Sequence, residues 1–236
     1  MLHKSLLSLL LLLILCGCSR EAPETPPDER TLPEGNLLDA QSNENLGAFQ
    51  WMFEPSTYQL DGGQLRIVAE KETDFFNNPE DGSITASAPL LYREVSGDFV
   101  AKAWVRPDFS SMWNAVALMV HVDSTHWIKF AFENSDATGK SIVSVVTRGV
   151  SDDANGVVLE DQEAIWLKLI RKDDIYAMHW SLDDETYHMT RLTTLPPTDT
   201  VKIGIEAQCP VGPSATHEIR YFGLEQKTVE DLRKGE

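Results

Sequence analysis

The stretch Trp127-Ile128-Lys129-Phe130-Ala131-Phe132-Glu133 alternates with a period of two. Ile128, Phe130 and Phe132 fall on one face, and Trp127, Lys129, Ala131 and Glu133 on the other, as a half-buried strand requires. The pattern continues on both sides. In 114–122, Val116, Leu118, Val120 and Val122 point one way and Ala115, Ala117, Met119 and His121 the other. In 201–208, Val201, Ile203, Ile205 and Ala207 face a core, leaving Lys202, Gly204, Glu206 and Gln208 outside. Further runs occupy 65–70, 99–105, 141–147, 166–171, 175–180 and 218–222. Asp61-Gly62-Gly63 and Ser96-Gly97-Asp98 precede two of them as turns, and Lys172-Asp173-Asp174 reads as a tight hairpin. Short runs rich in valine, isoleucine and aromatics at this spacing predict an all-β sandwich of two antiparallel sheets. Only 228–234 carries a helical pattern, and a weak one.

The outward faces hold small residues (Ala115, Ala117, Ala131, Gly204) beside charged and aromatic ones. Small side chains leave room for a ligand to lie on such a sheet, so this face is the expected binding face.

The chain begins with Met1-Leu2-His3-Lys4 and an apolar run from Leu6 to Cys16. That run is shorter than the roughly 20 residues of a membrane-spanning helix and matches a signal-peptide core. It ends in Leu15-Cys16-Gly17-Cys18, which resembles a bacterial lipobox and makes Cys18 the expected site of lipidation. The expected organisation is a leader over 1–17, an anchored tether over 18–36, a sandwich over 37–225 and a short polar tail over 226–236. The tether carries four prolines and five acidic residues and reads as an extended spacer. The expected location is the cell envelope, and the outer membrane in a Gram-negative cell.

The formal charge is −17, from 20 basic and 37 acidic side chains. This argues against a nucleic-acid partner, which needs a basic face. It also means that the lipid, not surface charge, would hold the protein to a membrane. With three cysteines, two of them before Ser19, the chain is no disulfide scaffold, and Cys209 reads as a buried thiol.

Many short pieces resemble a bacterial domain family of unknown function, domain of unknown function 1349, grouped with regulation-of-enolase-type proteins. They are Trp51, Glu54-Pro55, Leu65, Thr73-Asp74-Phe75-Phe76, Gly97-Asp98-Phe99, Ala117-Leu118-Met119, Trp127-Ile128-Lys129 and Glu133. Ser144-Val145-Val146-Thr147, Ser151-Asp152, Trp166-Leu167, Arg171, Ser181, Asp183 and Ala207-Gln208-Cys209-Pro210 follow in order. The resemblance spans roughly Phe49 to Leu224 and implies a concanavalin A-like jelly roll. Its fold relatives mainly bind or cleave polysaccharides, an analogy at the level of fold. The chain departs from the family where Asn114-Ala115-Val116-Ala117 replaces Asp-Gln-Ala-Gly. Asp153 stands for a tryptophan, Asp184 for a glycine and Cys209 for a serine.

The candidate ligand-binding residues are His121, Trp127, Lys129, Glu133, Thr147, Glu206 and Gln208. Lys129 and Glu133 lie four apart on one strand, about 13 Å at strand rise, so each must find its partner on a neighbouring strand or in a ligand. Structural ion pairs are the competing reading. Glu133 and Glu206 form the alternative catalytic pair, since two carboxylates flanking a sugar linkage suit a glycosidase. Trp113, Trp127, Trp180 and Tyr187 are candidate sugar-stacking aromatics, with core packing as the alternative. His121, Asp123 and His126 surround one turn without forming a defined metal set, and the acidic stretch 151–156 reads as a turn. No phosphate-cradling glycine loop, hydrolase triad or zinc motif occurs, so no metal or cofactor is expected. The leading functional expectation is glycan binding on one sheet face; a glycoside-active enzyme and a protein-interaction module are the alternatives.

Overall fold

The computed structural model describes residues 32–236. The expected leader, Cys18 and the tether as far as residue 31 lie outside the described residues. Two seven-stranded antiparallel sheets stack as a sandwich. With strands numbered along the chain, the first sheet runs β1 (Gln50–Met52), β6 (Leu90–Ser96), β15 (Thr200–Gln208), β8 (Ala115–Asp123), β9 (His126–Ser135), β10 (Gly139–Arg148) and β11 (Val150–Val158). The second runs β14 (His188–Thr194), β13 (Ile175–Ser181), β12 (Ile165–Lys172), β7 (Phe99–Arg106), β16 (Ser214–Glu225), β3 (Gln64–Glu70) and β2 (Tyr58–Asp61). A separate hairpin joins β4 (Phe75–Asn77) to β5 (Ile84–Ala86).

The inward sets read from the sequence meet between the sheets. Val116, Leu118, Val120, Ile128, Phe130, Phe132, Ile203 and Ile205 of the first sheet pack on Ala101, Val105, Leu167, Leu169, Ile219 and Phe222 of the second. Burying each large apolar side chain contributes about 1.5–3 kcal/mol, so this layer sets the register of both sheets. The β12–β13 hairpin turns at Asp173, whose φ of 54° suits a tight turn, as the sequence predicts.

Three expectations need correction. The stretch 151–156 is not a turn but most of β11, an edge strand paired only with β10. Segment 228–234 forms no helix; a single turn closes where the Gly235 amide donates to Asp231 O at 2.8 Å, with Gly235 at φ 77°. The packed domain also starts before residue 37. The Asn36 amide donates to Asp39 Oδ1 at 2.9 Å and to the carbonyls of Gly63 and Arg220 at 3.0 Å each.

The outer face of each sheet is covered in part by chain that belongs to neither. On the second sheet the final segment docks: Val229 is buried against Ile170 and Ala177, and Lys172 Nζ donates to its carbonyl at 3.0 Å. On the first sheet the β4–β5 hairpin lays Phe75 onto a cluster of Leu90, Tyr92, Met119, Trp127, Val143 and Val145. Asn77 pins it there: its backbone N–H donates to Ser151 Oγ at 2.9 Å and its side-chain Nδ2 donates to Gly149 O at 2.9 Å.

Candidate functional site

Register brings the outward polar residues of the first sheet together. Gln208 on β15 and Glu133 on β9 both oppose Ala115 on β8; Glu206 and Ala131 both oppose Ala117; Lys129 opposes Met119. Lys129 and Gln208 thus stand on either side of β8, with only alanine side chains below the line that joins them. Lys129 Nζ bridges the gap, donating to Gln208 Oε1 at 2.7 Å, to Asp74 Oδ1 at 2.7 Å and to Phe75 O at 3.0 Å. All three of its ammonium donors are used. Gln208 Nε2 in turn donates to Trp113 O at 2.8 Å.

The small residues therefore have another purpose than the expected one. Ala115, Ala117 and Ala131 are sealed, and the room above them is taken by the protein's own lysine network. Gly204 is small because a Cβ there would come within 2.0 Å of Leu91 O on the adjoining strand. No ligand groove is needed to explain it.

Beside the network, between β9–β11 and the hairpin segment, a cleft of about 550 Å³ opens to solvent. Its wall includes the aromatic residues Phe76 and Trp113, the acids Asp74, Glu133 and Asp153, and the Lys129–Gln208 pair. The volume lies within the range of ordinary small-ligand sites. Trp113 sits at φ 62°, an uncommon conformation for a bulky residue, held by its N–H bond to Asn134 O at 2.7 Å.

The electrostatics are unbalanced. Burial alone would lower the Lys129 pKa, but the carboxyls of Asp74, Glu206 and Glu133 outweigh it and push the ammonium above its ordinary range. Burial raises Glu133 to about 8 against the opposing pull of Lys129, with Asp74, Asp153 and Glu206 adding to the rise. Burial likewise raises Glu206 to about 8. Its two carboxyl oxygens are inaccessible and accept no hydrogen bond, so the neutral acid is the stable form there.

Of the residues expected at the site, Lys129, Glu133 and Gln208 line the cleft. Glu206 lies sealed beneath it, away from the cleft wall. Trp127, at 1% exposure, is not a stacking platform, because Phe75 packs edge-on against it at 6.0 Å between centroids. His121 touches the same Phe75 ring, and burial lowers its pKa. Thr147 is spent in a 2.8 Å hydrogen bond with Ser151. Among the other aromatics Trp113 reaches the cleft, whereas Trp180 stacks on His188 and Tyr187 donates to Asp184 on the second sheet. His126 pairs with Asp123 at 3.1 Å, and among the described residues no three acidic, histidine or cysteine groups converge on a metal position.

Asp74, Phe76 and Asp153 were not among the expected site residues. Asp74 and Phe76 lie in the Thr73-Asp74-Phe75-Phe76 piece of the family resemblance, which is the one signal that pointed to them. Asp153 stands where the family usually has tryptophan.

The family model described as "Protein of unknown function (DUF1349)" matches residues 51–227. The chain belongs to this family. It is 26% identical over 168 residues to Regulation of enolase protein 1 of Saccharomyces cerevisiae, covering 71% of this chain and 84% of the relative. A solved structure described as a functionally unknown protein from Saccharomyces cerevisiae superposes with a TM-score of 0.73 at 23% identity, over 77% of this chain and 98% of that one. The GH43 protein BlXynB from Bacillus licheniformis gives 0.64 at 15% identity, over 88% of this chain and 42% of that one. The Emp47p carbohydrate recognition domain gives 0.53 at 13% identity, over 82% and 94%. These structural likenesses establish a sandwich fold shared with lectin-like and glycoside-hydrolase-associated domains.

Proposed function

We propose that this DUF1349 chain is a cell-envelope protein, anchored through a lipid on Cys18, whose sandwich binds a polysaccharide in the Glu133 cleft. The observation that carries the binding reading is the pairing of two aromatic walls, Phe76 and Trp113, with a pre-ordered polar floor of Lys129, Gln208 and Glu133. Aromatic faces suit the C–H surfaces of pyranose rings, and fixed polar groups orient hydroxyls. Lys129 and Gln208 are held by hydrogen bonds within the protein, so little ordering of these side chains remains to oppose binding.

Catalysis by Glu133 with Glu206 is the weaker reading. A glycosidase pair must flank one sugar linkage, and Glu206 lies outside the cleft wall. Isothermal titration of the full chain against neutral and amino-sugar oligosaccharides tests the binding reading. Trp113→Ala is expected to weaken whichever binds by about tenfold. Unchanged affinity in that variant sinks the cleft as the site. Cys18→Ala tests the anchor: membrane association and labelling by a fatty-acid analogue are expected to disappear together, and persistence of both places the anchor elsewhere.

A further inference from the structure

The cleft is lined by one basic residue, and that residue has nothing left to offer. Lys129 already uses its three donors on Asp74, Phe75 and Gln208. Around it the wall carries Asp74, Glu80, Glu133, Asp136 and Asp153. An anionic ligand would meet this surplus of acid without a free cation to receive it.

Glu133 is the group that points to a ligand. It is 7% exposed, it lines the cleft, and its carboxyl accepts no hydrogen bond from the described residues. Unlike the sealed oxygens of Glu206, its carboxyl reaches the cleft, where a ligand donor can meet it. The charged groups facing it are Lys129 on its own strand, Asp74 ahead of β4, Asp153 on β11 and Glu206 on β15. Asp153 is exposed as a residue, yet packing against the wall withdraws its carboxyl from water and raises its pKa, with Asp136 and Asp74 adding to the rise.

We propose that the cleft selects a ligand bearing a primary ammonium group, with Glu133 as its counter-ion. Within the polysaccharide reading on which this inference rests, the ligand class is a glycan with free amino sugars. A bare metal ion fits less well, because among the described residues no three ligating groups converge on one point. An ammonium carried on a ring instead donates in three directions while the ring lies on Trp113 and Phe76. Below the raised Glu133 pKa the carboxyl enters the encounter protonated. Docking an already charged ammonium then expels that proton to solvent, leaving a carboxylate–ammonium pair.

Calorimetry on the full chain at about pH 6, where sugar amines are charged, tests this with three oligomers of equal length. The glucosamine oligomer is expected to bind at least about tenfold more tightly than the N-acetylglucosamine oligomer, and the galacturonic acid oligomer not at all. Titrations in buffers of different protonation heat are expected to show about one proton released per ligand bound. Glu133→Gln should remove both the preference and the proton release. Asp153→Asn, on an exposed edge strand where folding is not at stake, should reduce the preference by a few-fold. Equal binding of the N-acetylated oligomer, weakened by Trp113→Ala, overturns the ammonium inference and leaves the glycan reading standing. Equal binding of a simple diamine keeps the ammonium inference and overturns the glycan reading. Binding of neither sugar nor amine overturns both.

Discussion

Each sheet carries a partly or fully buried lysine on its outer face, and the two are settled differently. On the second sheet Lys102 meets a single acid, Asp184, through bonds of 2.8 and 2.9 Å, and Tyr187 donates to the same carboxyl at 2.5 Å. The rings of Trp166 and Tyr221 lie 5.7 and 5.9 Å from the ammonium, and among the described residues the only other buried charge opposite it is a cation, Lys168, whose pKa burial and Lys102 lower. On the first sheet Lys129 meets Asp74 but stands among Glu133, Glu206 and Asp153 as well. One cation cannot neutralise four acids, so burial and mutual repulsion keep Glu133 and Glu206 protonated. A closed pair supports a fold; an open surplus of acid beside a cleft supports a site.

Removing each lysine gives the largest contrast. Lys129, with a side chain 3% exposed, holds three partners at once: Asp74, itself 22% exposed, the Phe75 carbonyl and Gln208. Lys129→Met is expected to cost about 3–5 kcal/mol in urea unfolding, since it strands a carboxylate and an amide. Lys102, at 27% side-chain exposure, holds a pair that solvent partly screens. Lys102→Met is expected to cost about 1 kcal/mol. Equal costs would show that the first network is no more tightly built than the second.

The protonated acids of the first sheet also predict how stability changes with pH. A carboxyl raised from 4.5 to about 8 keeps its proton in the folded chain after the unfolded chain has lost its own. The folded state then binds more protons, so stability falls as pH rises, up to about 8, and levels beyond it. Buried histidines act in the other direction at lower pH. Burial lowers His179 and His217 to about 4, so their contribution is present above 6.5 and lost as pH falls towards 4. Between about pH 7.5 and 8 these histidines are almost wholly neutral in both states and the acids act nearly alone. The melting temperature is expected to fall from about pH 6.5 to 8, by the equivalent of a few kcal/mol. Glu206→Met, which replaces an unpartnered acid by an apolar side chain, should flatten the fall and raise stability at pH 8. A slope unchanged by this variant would mean that Glu206 is ionised in the folded protein.

The sheets were legible because inward residues at period two answer to one constraint, a shared core. Elements outside that constraint were not. β6 begins Leu90-Leu91-Tyr92, buried on both faces because Phe75 and Ala88 cover its outer side, so it shows no alternation. β11 reads Ser151-Asp152-Asp153-Ala154-Asn155-Gly156, and as an edge strand it has little to bury and keeps the composition of a turn. The site was half legible for a related reason. Alternation turns Lys129, Glu133 and Gln208 to one side, but nothing in strand periodicity brings in Asp74, 55 residues away along the chain. Nor does it show that Glu206 is sealed while Glu133 is open. Those facts come from the hairpin folded over the sheet, whose path is set by Phe75 and Asn77.

The smallest expected effects separate backbone from side chain at the same two sites. Trp113 beside the cleft has φ 62°, and Asp184 on the second sheet has φ 64°. Both occupy left-handed backbone that favours glycine, and the family's usual residue at the second position is glycine. Asp184 holds that conformation while its carboxyl closes the Lys102 pair, and Trp113 holds it while lining the cleft. At each position the glycine variant is therefore expected to be more stable than the alanine variant by about 1 kcal/mol, although both lose the same side chain. Thermal unfolding of the four variants measures this, and a glycine–alanine difference near zero would mean that the backbone relaxes once the side chain is gone. Binding discriminates between the two positions where stability does not. Trp113→Gly and Trp113→Ala should weaken the oligosaccharide equally, because the stacking ring is absent from both. Asp184→Gly and Asp184→Ala should leave affinity unchanged, because the closed pair lies on the opposite sheet and faces no cleft residue. Loss of binding in the Asp184 variants would make the second sheet part of the site and remove the distinction between the two lysines.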